Sequence, residues 1–208
     1  MATRRNTGMP KIVQMMGGAG SKTPVPALPP NVERWGLNAL IRMRASGGRF
    51  EGVTRWFDVH SREHIASRKE GDMWEWYRRA QVTIYLTKQY DELPTSVAYP
   101  LAAVQAAFGG TRLFCSGFDY MLALAMLEQF TEIQLYGFRL VHPQYRFQVG
   151  SAAWWLTQCR DRGITITFLT PCAAADTSVV DAHPPKPEAH HLMYGFETTD
   201  RDKLYHGR

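Results

Sequence analysis

Short apolar runs alternate with glycine- and proline-containing turns along this chain, and the spacing within each run predicts an element. Runs rich in β-branched and aromatic residues predict strands at 11–16, 34–40 (a strand or a turn), 54–60, 82–86, 132–136 and 164–169. Helices are predicted at 72–80, 99–108, 114–130 and 150–162. Strands that alternate with helices predict an α/β fold, with a mostly parallel, Rossmann-like sheet and helices on both faces.

Composition divides the chain into three predicted parts. Residues 1–10 are polar and basic and predict a disordered N-terminus. Residues 11–170 are expected to form a single α/β domain, because a chain with 45% apolar residues can bury a full core. Residues 171–208 form an extension with a proline stretch at 184–187 and an apolar patch at 192–196, which leaves folding back and disorder both open.

The pattern excludes some classes of protein. No run reaches the roughly 18 apolar residues that a membrane span needs, and no signal sequence is visible. We therefore expect a cytoplasmic protein with no membrane partner. The three cysteines lack the paired spacing of a zinc site and are expected to be reduced thiols.

The charge allows more than one kind of partner. The chain carries 24 basic and 19 acidic residues, a net charge of +5. This excess is compatible with an anionic ligand or nucleic acid, and also with a solvated basic surface. Basic side chains that could contact DNA phosphates are Arg42, Arg44, Arg49, Arg55, Arg62, Arg68, Lys69, Arg78 and Arg79.

Two turns built from small residues carry the main signal for a ligand site. Gly17-Gly18-Ala19-Gly20-Ser21-Lys22 follows the first predicted strand, although it fits neither the P-loop nor the dinucleotide-binding pattern. Ser116-Gly117 opens an apolar helix, and serine is a good N-cap. Backbone N–H groups at a helix N-terminus and the positive end of the helix dipole stabilise phosphate oxygens.

These two turns belong to a set of blocks that resembles a known family. The other blocks are Asn38 after the second predicted strand and a strand closing on Tyr136-Gly137-Phe138. Together they resemble the bacterial sialyltransferases of the lipooligosaccharide type, the related 6-hydroxymethylpterin pyrophosphokinase-like proteins, and short phage proteins that share the blocks. The resemblance covers residues 11–40 and 114–170. The first turn departs from the family pattern G-x-G-P-S-L by losing its proline.

The resemblance implies a nucleotide-binding domain that uses a CMP- or UDP-linked sugar donor. The nucleotide pocket would be lined by Gly18, Gly20, Ser21, Asn38, Ser116 and Gly117. Tyr145, just beyond the Tyr-Gly turn, would help the phosphate leaving group to depart. If the chain is phage-encoded, its location is the host cytoplasm and a modified base in DNA is a conceivable acceptor.

Glycosyl transfer also needs a base that deprotonates the acceptor hydroxyl, and histidine suits neutral pH. Asp58 and His60 lie two residues apart at the end of a predicted strand, so their side chains would share a face. They could form an oriented base or a structural hydrogen bond. His142 is a rival, as are His183, His190 and His191.

The sequence thus predicts a nucleotide-dependent, glycosyltransferase-like transferase that needs no metal. Asp200 and Asp202 have the spacing of an Asp-x-Asp metal motif, but they lie in a polar stretch and are interpreted as solvated. Two alternatives stay open: a non-catalytic protein that binds a nucleotide or nucleotide-derived signal, and a pyrophosphokinase that uses ATP and magnesium. A third interpretation is an oligomer or partner surface made of Trp56, Trp74, Trp76, Trp154 and Trp155.

Overall fold

Seven parallel strands form one sheet in this protein. The computed structural model describes residues 9–18, 24–25, 27–38, 52–67, 72–140, 146–175, 193 and 195–196. The strands are β1 Ile12–Met16, β2 Val32–Leu37, β3 Val53–Phe57, β4 Thr83–Leu86, β5 Ser96–Ala98, β6 Glu132–Tyr136 and β7 Thr165–Phe168. Their order is β5-β4-β3-β2-β1-β6-β7, and each neighbouring pair is parallel. The predicted α/β class is confirmed.

Five α-helices lie between these strands in the described part of the chain. They are α1 Arg62–Ser67, α2 Met73–Arg79, α3 Leu101–Ala107, α4 Gly117–Leu127 and α5 Arg146–Asp161. A 3-10 turn at Ala173–Ala175 follows β7. None of the helices described here is long and apolar enough to cross a membrane.

Helices cover the sheet on both faces. Alternate side chains of each strand point to opposite faces, so neighbouring residues of one strand belong to different core clusters. Val13, Met15 and Phe57 belong to the cluster that includes α3, α4 and α5. Met16 and Trp56 belong to a second cluster, which includes α1 and α2. Helix α4 is buried along almost its whole length, which agrees with a sequence that is apolar at most positions other than Asp119.

An ion-pair network fixes the far end of α4 to the sheet. Arg55 on β3 contacts Glu128 at the C-terminal end of α4, with 2.6 Å between Nη1 and Oε1. Its Nε also lies 2.9 Å from Glu33 Oε2 on β2. The guanidinium packs over the ring of Trp35, 4.9 Å from the centroid. These contacts hold α4 in place, and its opposite end faces the carboxyl edge of the sheet.

Several element boundaries differ from the sequence prediction. Strand β3 ends at Phe57, so His60 lies beyond the strand end. Helix α1 occupies a segment expected to be loop, and β5 was not predicted because it has only three residues. Helix α4 begins at Gly117, after its N-cap Ser116, and Phe114 forms an isolated parallel bridge with Met193. Arg146, expected in a loop, opens α5.

Most of the five tryptophans considered for a partner surface lie in the core. Trp56 and Trp155 have no exposed area, and Trp74 is also buried. Trp76 and Trp154 are partly buried and pack against the core clusters. The interpretation of these five side chains as an oligomer surface is therefore wrong for the three buried ones, since core packing accounts for them.

A C-terminal segment packs across the carboxyl edge of the sheet. Met193 pairs with Phe114, and the ring of Phe196 contacts Tyr99 and Tyr120 at centroid distances of 6.5 and 5.7 Å. Gly195 has a φ of +89°, and a Cβ atom there would lie 1.4 Å from the carbonyl oxygen of Val59. Only glycine fits this contact.

Replacing Gly195 with alanine should release the segment from Val59. The added Cβ would overlap the Val59 carbonyl, so the backbone must move away. Gly110→Ala is the matched control, because Gly110 also has a positive φ of +76° but nothing within 4 Å of an added Cβ. Both variants bear the cost of about 1–2 kcal/mol for a left-handed alanine.

Hydrogen exchange of the Phe196 amide, which donates to Met193 O at 2.8 Å, measures the release. We expect exchange at least about tenfold faster in Gly195→Ala than in Gly110→Ala, since a lost contact of about 1.4 kcal/mol corresponds to a factor of ten. Equal exchange rates in the two variants would contradict the tight contact.

Candidate functional site at the carboxyl edge of the sheet

The candidate site lies at the carboxyl edge of the sheet, where Asn38 after β2 meets the N-terminus of α4. In a parallel sheet all carboxyl ends share one edge, and ligands bind there where strand connections run in opposite directions. Strand β1 is such a position, because it lies between β2 and β6. Neighbouring strands lie about 4.8 Å apart, so the ends of β1 and β3 are separated by about 10 Å.

The first glycine turn begins with a packing glycine. Gly17 N donates to Tyr136 O at 2.7 Å, and a Cβ at Gly17 would lie 2.7 Å from Gly137 O. Gly17 is therefore required for the close approach of the two strand ends. Gly18, a predicted pocket residue, follows it and is exposed.

Asn38 lies directly after β2 and faces the start of α4. A Cβ at Gly117 would lie 3.8 Å from Asn38 Oδ1, so the predicted pocket residues Asn38 and Gly117 are brought together. Asn38 has a left-handed φ of 52°, which asparagine tolerates better than most residues. Its carbonyl accepts a hydrogen bond from Trp56 Nε1 at 2.9 Å, which fixes the turn.

Ser116 and Asp119 form a capping box at the N-terminus of α4. Asp119 Oδ2 accepts hydrogen bonds from the backbone N–H groups of Cys115 and Ser116, at 2.7 and 3.0 Å. Ser116 Oγ faces the N–H of Asp119 but makes no hydrogen bond of normal geometry among the described residues. The capping box was not predicted from the sequence, although the spacing Ser-x-x-Asp is a known signal for it.

The Asp119 carboxyl group is the most strongly perturbed group near this turn. It is completely buried, and Ser151 Oγ on α5 also donates to Oδ2, at 2.7 Å. Burial raises the pKa of Asp119 to about 7, because desolvation outweighs the hydrogen bonds that favour the ionised form. The second oxygen, Oδ1, has no partner among the described residues.

Asp58 and His60 form the hydrogen-bonded pair that the sequence suggested. Asp58 Oδ1 lies 2.5 Å from His60 Nδ1, and both side chains are buried. Although β3 ends at Phe57, Asp58 N still donates to Tyr85 O at 3.0 Å and keeps its direction along the sheet. An aspartate that accepts from Nδ1 orients the imidazole and leaves Nε2 as the basic nitrogen.

Two further side chains adjoin this pair and were missed from the sequence. Tyr77 on α2 donates its hydroxyl hydrogen to Asp58 Oδ2 at 2.5 Å. His64, exposed on α1, stacks on His60 with ring centroids 4.5 Å apart and planes 8° from parallel. The four-residue spacing of His60 and His64 is a weak sequence signal for their stacking. The contact between Tyr77 and Asp58 has no sequence signal, because it depends on tertiary packing.

Four predicted site residues, Gly20, Ser21, His142 and Tyr145, lie outside the described residues. The same holds for Arg42, Arg44, Arg49, Arg68 and Lys69 of the proposed DNA-contacting set. The described members of that set form ion pairs: Arg55 with Glu33 and Glu128, Arg62 with Glu92, and Arg78 and Arg79 with Glu75. Their charges are partly neutralised, which weakens the case for contact with DNA.

Other reactive side chains near the site do not extend it. Burial raises the pKa of the Cys115 thiol to about 12, with a smaller contribution from the charge of Asp119, so this cysteine is a packing residue and a poor nucleophile. Within the described ranges, no group of three or more histidine, cysteine, aspartate or glutamate side chains is arranged to hold a metal ion.

Comparison with known proteins adds no relative. No protein-family model, no curated protein and no solved structure matches this chain.

The pKa of Asp119 predicts how stability depends on pH. Its folded-state pKa lies above the ordinary value of 3.8, so the folded state binds more protons at intermediate pH. Stability from this group is therefore full below about pH 4 and is lost as the pH rises towards 7. Relative to Asp119→Asn, the wild-type free energy of unfolding should fall by about 2 kcal/mol between pH 5 and pH 7.

Urea denaturation at pH 5, 6, 7 and 8 measures this difference. Asp72→Asn is the matched control, because Asp72 is the exposed N-cap of α2 and accepts from Glu75 N at 2.9 Å. Parallel pH profiles for the wild type and Asp119→Asn would show that the buried carboxyl titrates normally.

Proposed function

We propose that the protein is a nucleotide-dependent transferase whose donor nucleotide binds at the N-terminus of α4. The donor would be a CMP- or UDP-linked sugar, and the acceptor a hydroxyl group activated by His60. The proposal rests on the arrangement of Asn38, Ser116 and Gly117 at the carboxyl edge, one strand away from the Asp58–His60 pair.

The observation that carries the proposal is a set of buried polar atoms whose hydrogen bonding is incomplete. Asn38 Oδ1 has no hydrogen-bond partner among the described residues, and Ser116 Oγ and Asp119 Oδ1 make no hydrogen bond of normal geometry outside the capping box that Ser116 and Asp119 form. An unsatisfied buried group costs about 1–3 kcal/mol, so proteins rarely retain several in one place without a use. A ribose hydroxyl, a base amino group or a phosphate with its water could supply the missing partners.

Backbone groups at the same place suit a phosphate. The N–H groups of Cys115 and Ser116 already donate hydrogen bonds to Asp119. A phosphate would therefore accept hydrogen bonds from the N–H groups of Gly117 and Phe118, the first two residues of the helix. The absent side chain at Gly117 permits close approach, and the helix dipole favours negative charge. These N–H groups would also stabilise the charge that develops on the departing nucleotide.

The Asp58–His60 pair suits proton removal from an acceptor. In the proposed reaction, His60 Nε2 takes the hydroxyl proton while the acceptor oxygen bonds to the sugar carbon and the bond to the nucleotide phosphate breaks. Asp58, which is hydrogen-bonded to His60 Nδ1, would stabilise the imidazolium that forms. The ends of β1 and β3 are about 10 Å apart by strand spacing, a distance that a nucleotide-sugar can span.

Nucleotide binding is tested by calorimetry with CMP, UDP and ATP. The wild type should bind at least one of them below millimolar concentration. Asn38→Gly should weaken that binding about tenfold or more, since glycine keeps the left-handed backbone while removing the amide. Ser116→Ala should also weaken binding.

Loss of the cap also destabilises α4 in Ser116→Ala, by about 1 kcal/mol, so a capping control is needed. Asp72→Ala removes the N-cap of α2 at a comparable cost and should leave affinity unchanged. Absence of binding to all three nucleotides at millimolar concentration would refute the proposed site.

A second function, nucleotide binding without catalysis, is favoured by one observation. His60 is only 5% exposed, so a substrate reaches its imidazole only if neighbouring groups move. A protein that sequesters a nucleotide or a nucleotide-derived signal would not need access to this side chain.

Turnover distinguishes the two functions. Incubation of bound CMP- and UDP-sugars should release free nucleotide over hours if the protein is a transferase, because water can replace the acceptor. His60→Gln should slow that release about 100-fold or more, the usual contribution of a general base, with nucleotide affinity retained. Donor that is bound and recovered intact would favour the binding protein. Magnesium-dependent formation of AMP from ATP, with the nucleotide-sugars left intact, would favour a pyrophosphokinase.

A further inference from the structure

Tyr77 makes a hydrogen bond that connects α2 to the Asp58–His60 pair. Its side chain has no exposed area, and its hydroxyl group donates to Asp58 Oδ2 at 2.5 Å. The other carboxylate oxygen, Oδ1, lies 2.5 Å from His60 Nδ1. The two oxygens of one fully buried carboxylate are thus held by two different elements.

The tyrosine ring is itself fixed in place. It packs edge to face against Trp74 and Trp76, at centroid distances of 6.5 and 5.3 Å. Helix α2 is anchored by Met73 and Trp74 in the core and by the cap from Asp72. The hydroxyl of Tyr77 therefore sits at a defined position, and the Asp58 carboxylate cannot rotate about its bond to Cβ without breaking one of its two hydrogen bonds.

A purely structural role does not explain why Tyr77, Asp58 and His60 are buried together, because burying the carboxylate costs free energy. Removing a carboxylate from water carries a penalty of several kcal/mol, and apolar residues of similar volume usually pack at least as stably. The combination of phenol, carboxylate and imidazole lies at the edge of the sheet where ligands of α/β proteins bind. A defined tautomer and orientation of His60 is the property that this combination provides.

We propose that Tyr77 is a positioning residue for His60, acting through Asp58 to hold the proton on Nδ1 and the lone pair of Nε2 towards the substrate. The inference rests on the proposed function, in which His60 is the base. Tyr77 does not touch the substrate. It fixes the carboxylate and withdraws part of its negative charge from the imidazole.

The experiment compares Tyr77→Phe with Tyr99→Phe by NMR of ligand-free protein. Tyr99 is a matched control, because it is also buried and its hydroxyl donates to a backbone carbonyl, Tyr120 O, at 2.9 Å. The ¹⁵N shifts of His60 report its tautomer, and its titration is followed with pH. Titratable groups of the described residues that face His60 include Asp58, His64 on α1 and, through Asp58, Tyr77.

In Tyr77→Phe the full charge of Asp58 acts on His60, so the imidazolium is favoured. We expect its titration midpoint to rise by roughly half a pH unit or more, and the share of the Nδ1–H tautomer to change. Tyr99→Phe should change neither. The rate of donor turnover should show the same upward shift of its pH profile in Tyr77→Phe alone.

An unchanged His60 titration in Tyr77→Phe would overturn the proposal, as would an equal shift in Tyr99→Phe. The NMR readout needs no substrate, so it separates the two hypotheses. A shift in His60 without any nucleotide binding by the wild type would support the role of Tyr77 and refute the proposed function. Nucleotide turnover with an unchanged titration midpoint of His60 in Tyr77→Phe would support the proposed function and refute the role of Tyr77.

Discussion

Parallel strands place every carboxyl end at one edge of the sheet, and in this protein that edge collects the polar side chains of several separate loops. Asn38 follows β2, Asp58 and His60 follow β3, and Ser116 opens α4. The three loops that carry these groups are far apart in sequence. Because β1 lies between β2 and β6, the start of α4 packs against the turn after β2, and the loop after β3 lies at the same edge of the sheet.

Two buried carboxylates show different solutions to the cost of desolvation. Asp58 is compensated by a phenol and an imidazole, both of which come from side chains. Asp119 is compensated by two backbone N–H groups and by Ser151, but desolvation still raises its pKa. The first arrangement fixes the orientation of an imidazole. The second fixes the backbone at the start of a helix.

The sequence predicted the fold well, because long apolar runs and turns determine most of a parallel α/β sheet. Strands β1, β4, β6 and β7 were found from periodicity. Helix α1 and strand β5 were not, since a six-residue helix and a three-residue strand carry little pattern and are stabilised by packing.

The site could be predicted only where its residues are neighbours in sequence or follow a strand. The pairing of Asp58 with His60 was expected from two-residue alternation, although both residues lie beyond the end of β3. The approach of Asn38 to Gly117 was expected from the resemblance of their blocks. Tyr77 and Gly195 could not be predicted. Each acts on the loop after β3 from a distant segment, and such contacts exist only once the chain is packed.

The contact between Gly195 and Val59 also affects the order in which the protein is completed. Synthesis is vectorial, and Met193, Gly195 and Phe196 come after β7 in the sequence. All seven strands are therefore synthesised before the segment that packs on Val59. A nascent chain would have its sheet first, while the loop that carries Asp58 and His60 would still lack its cover.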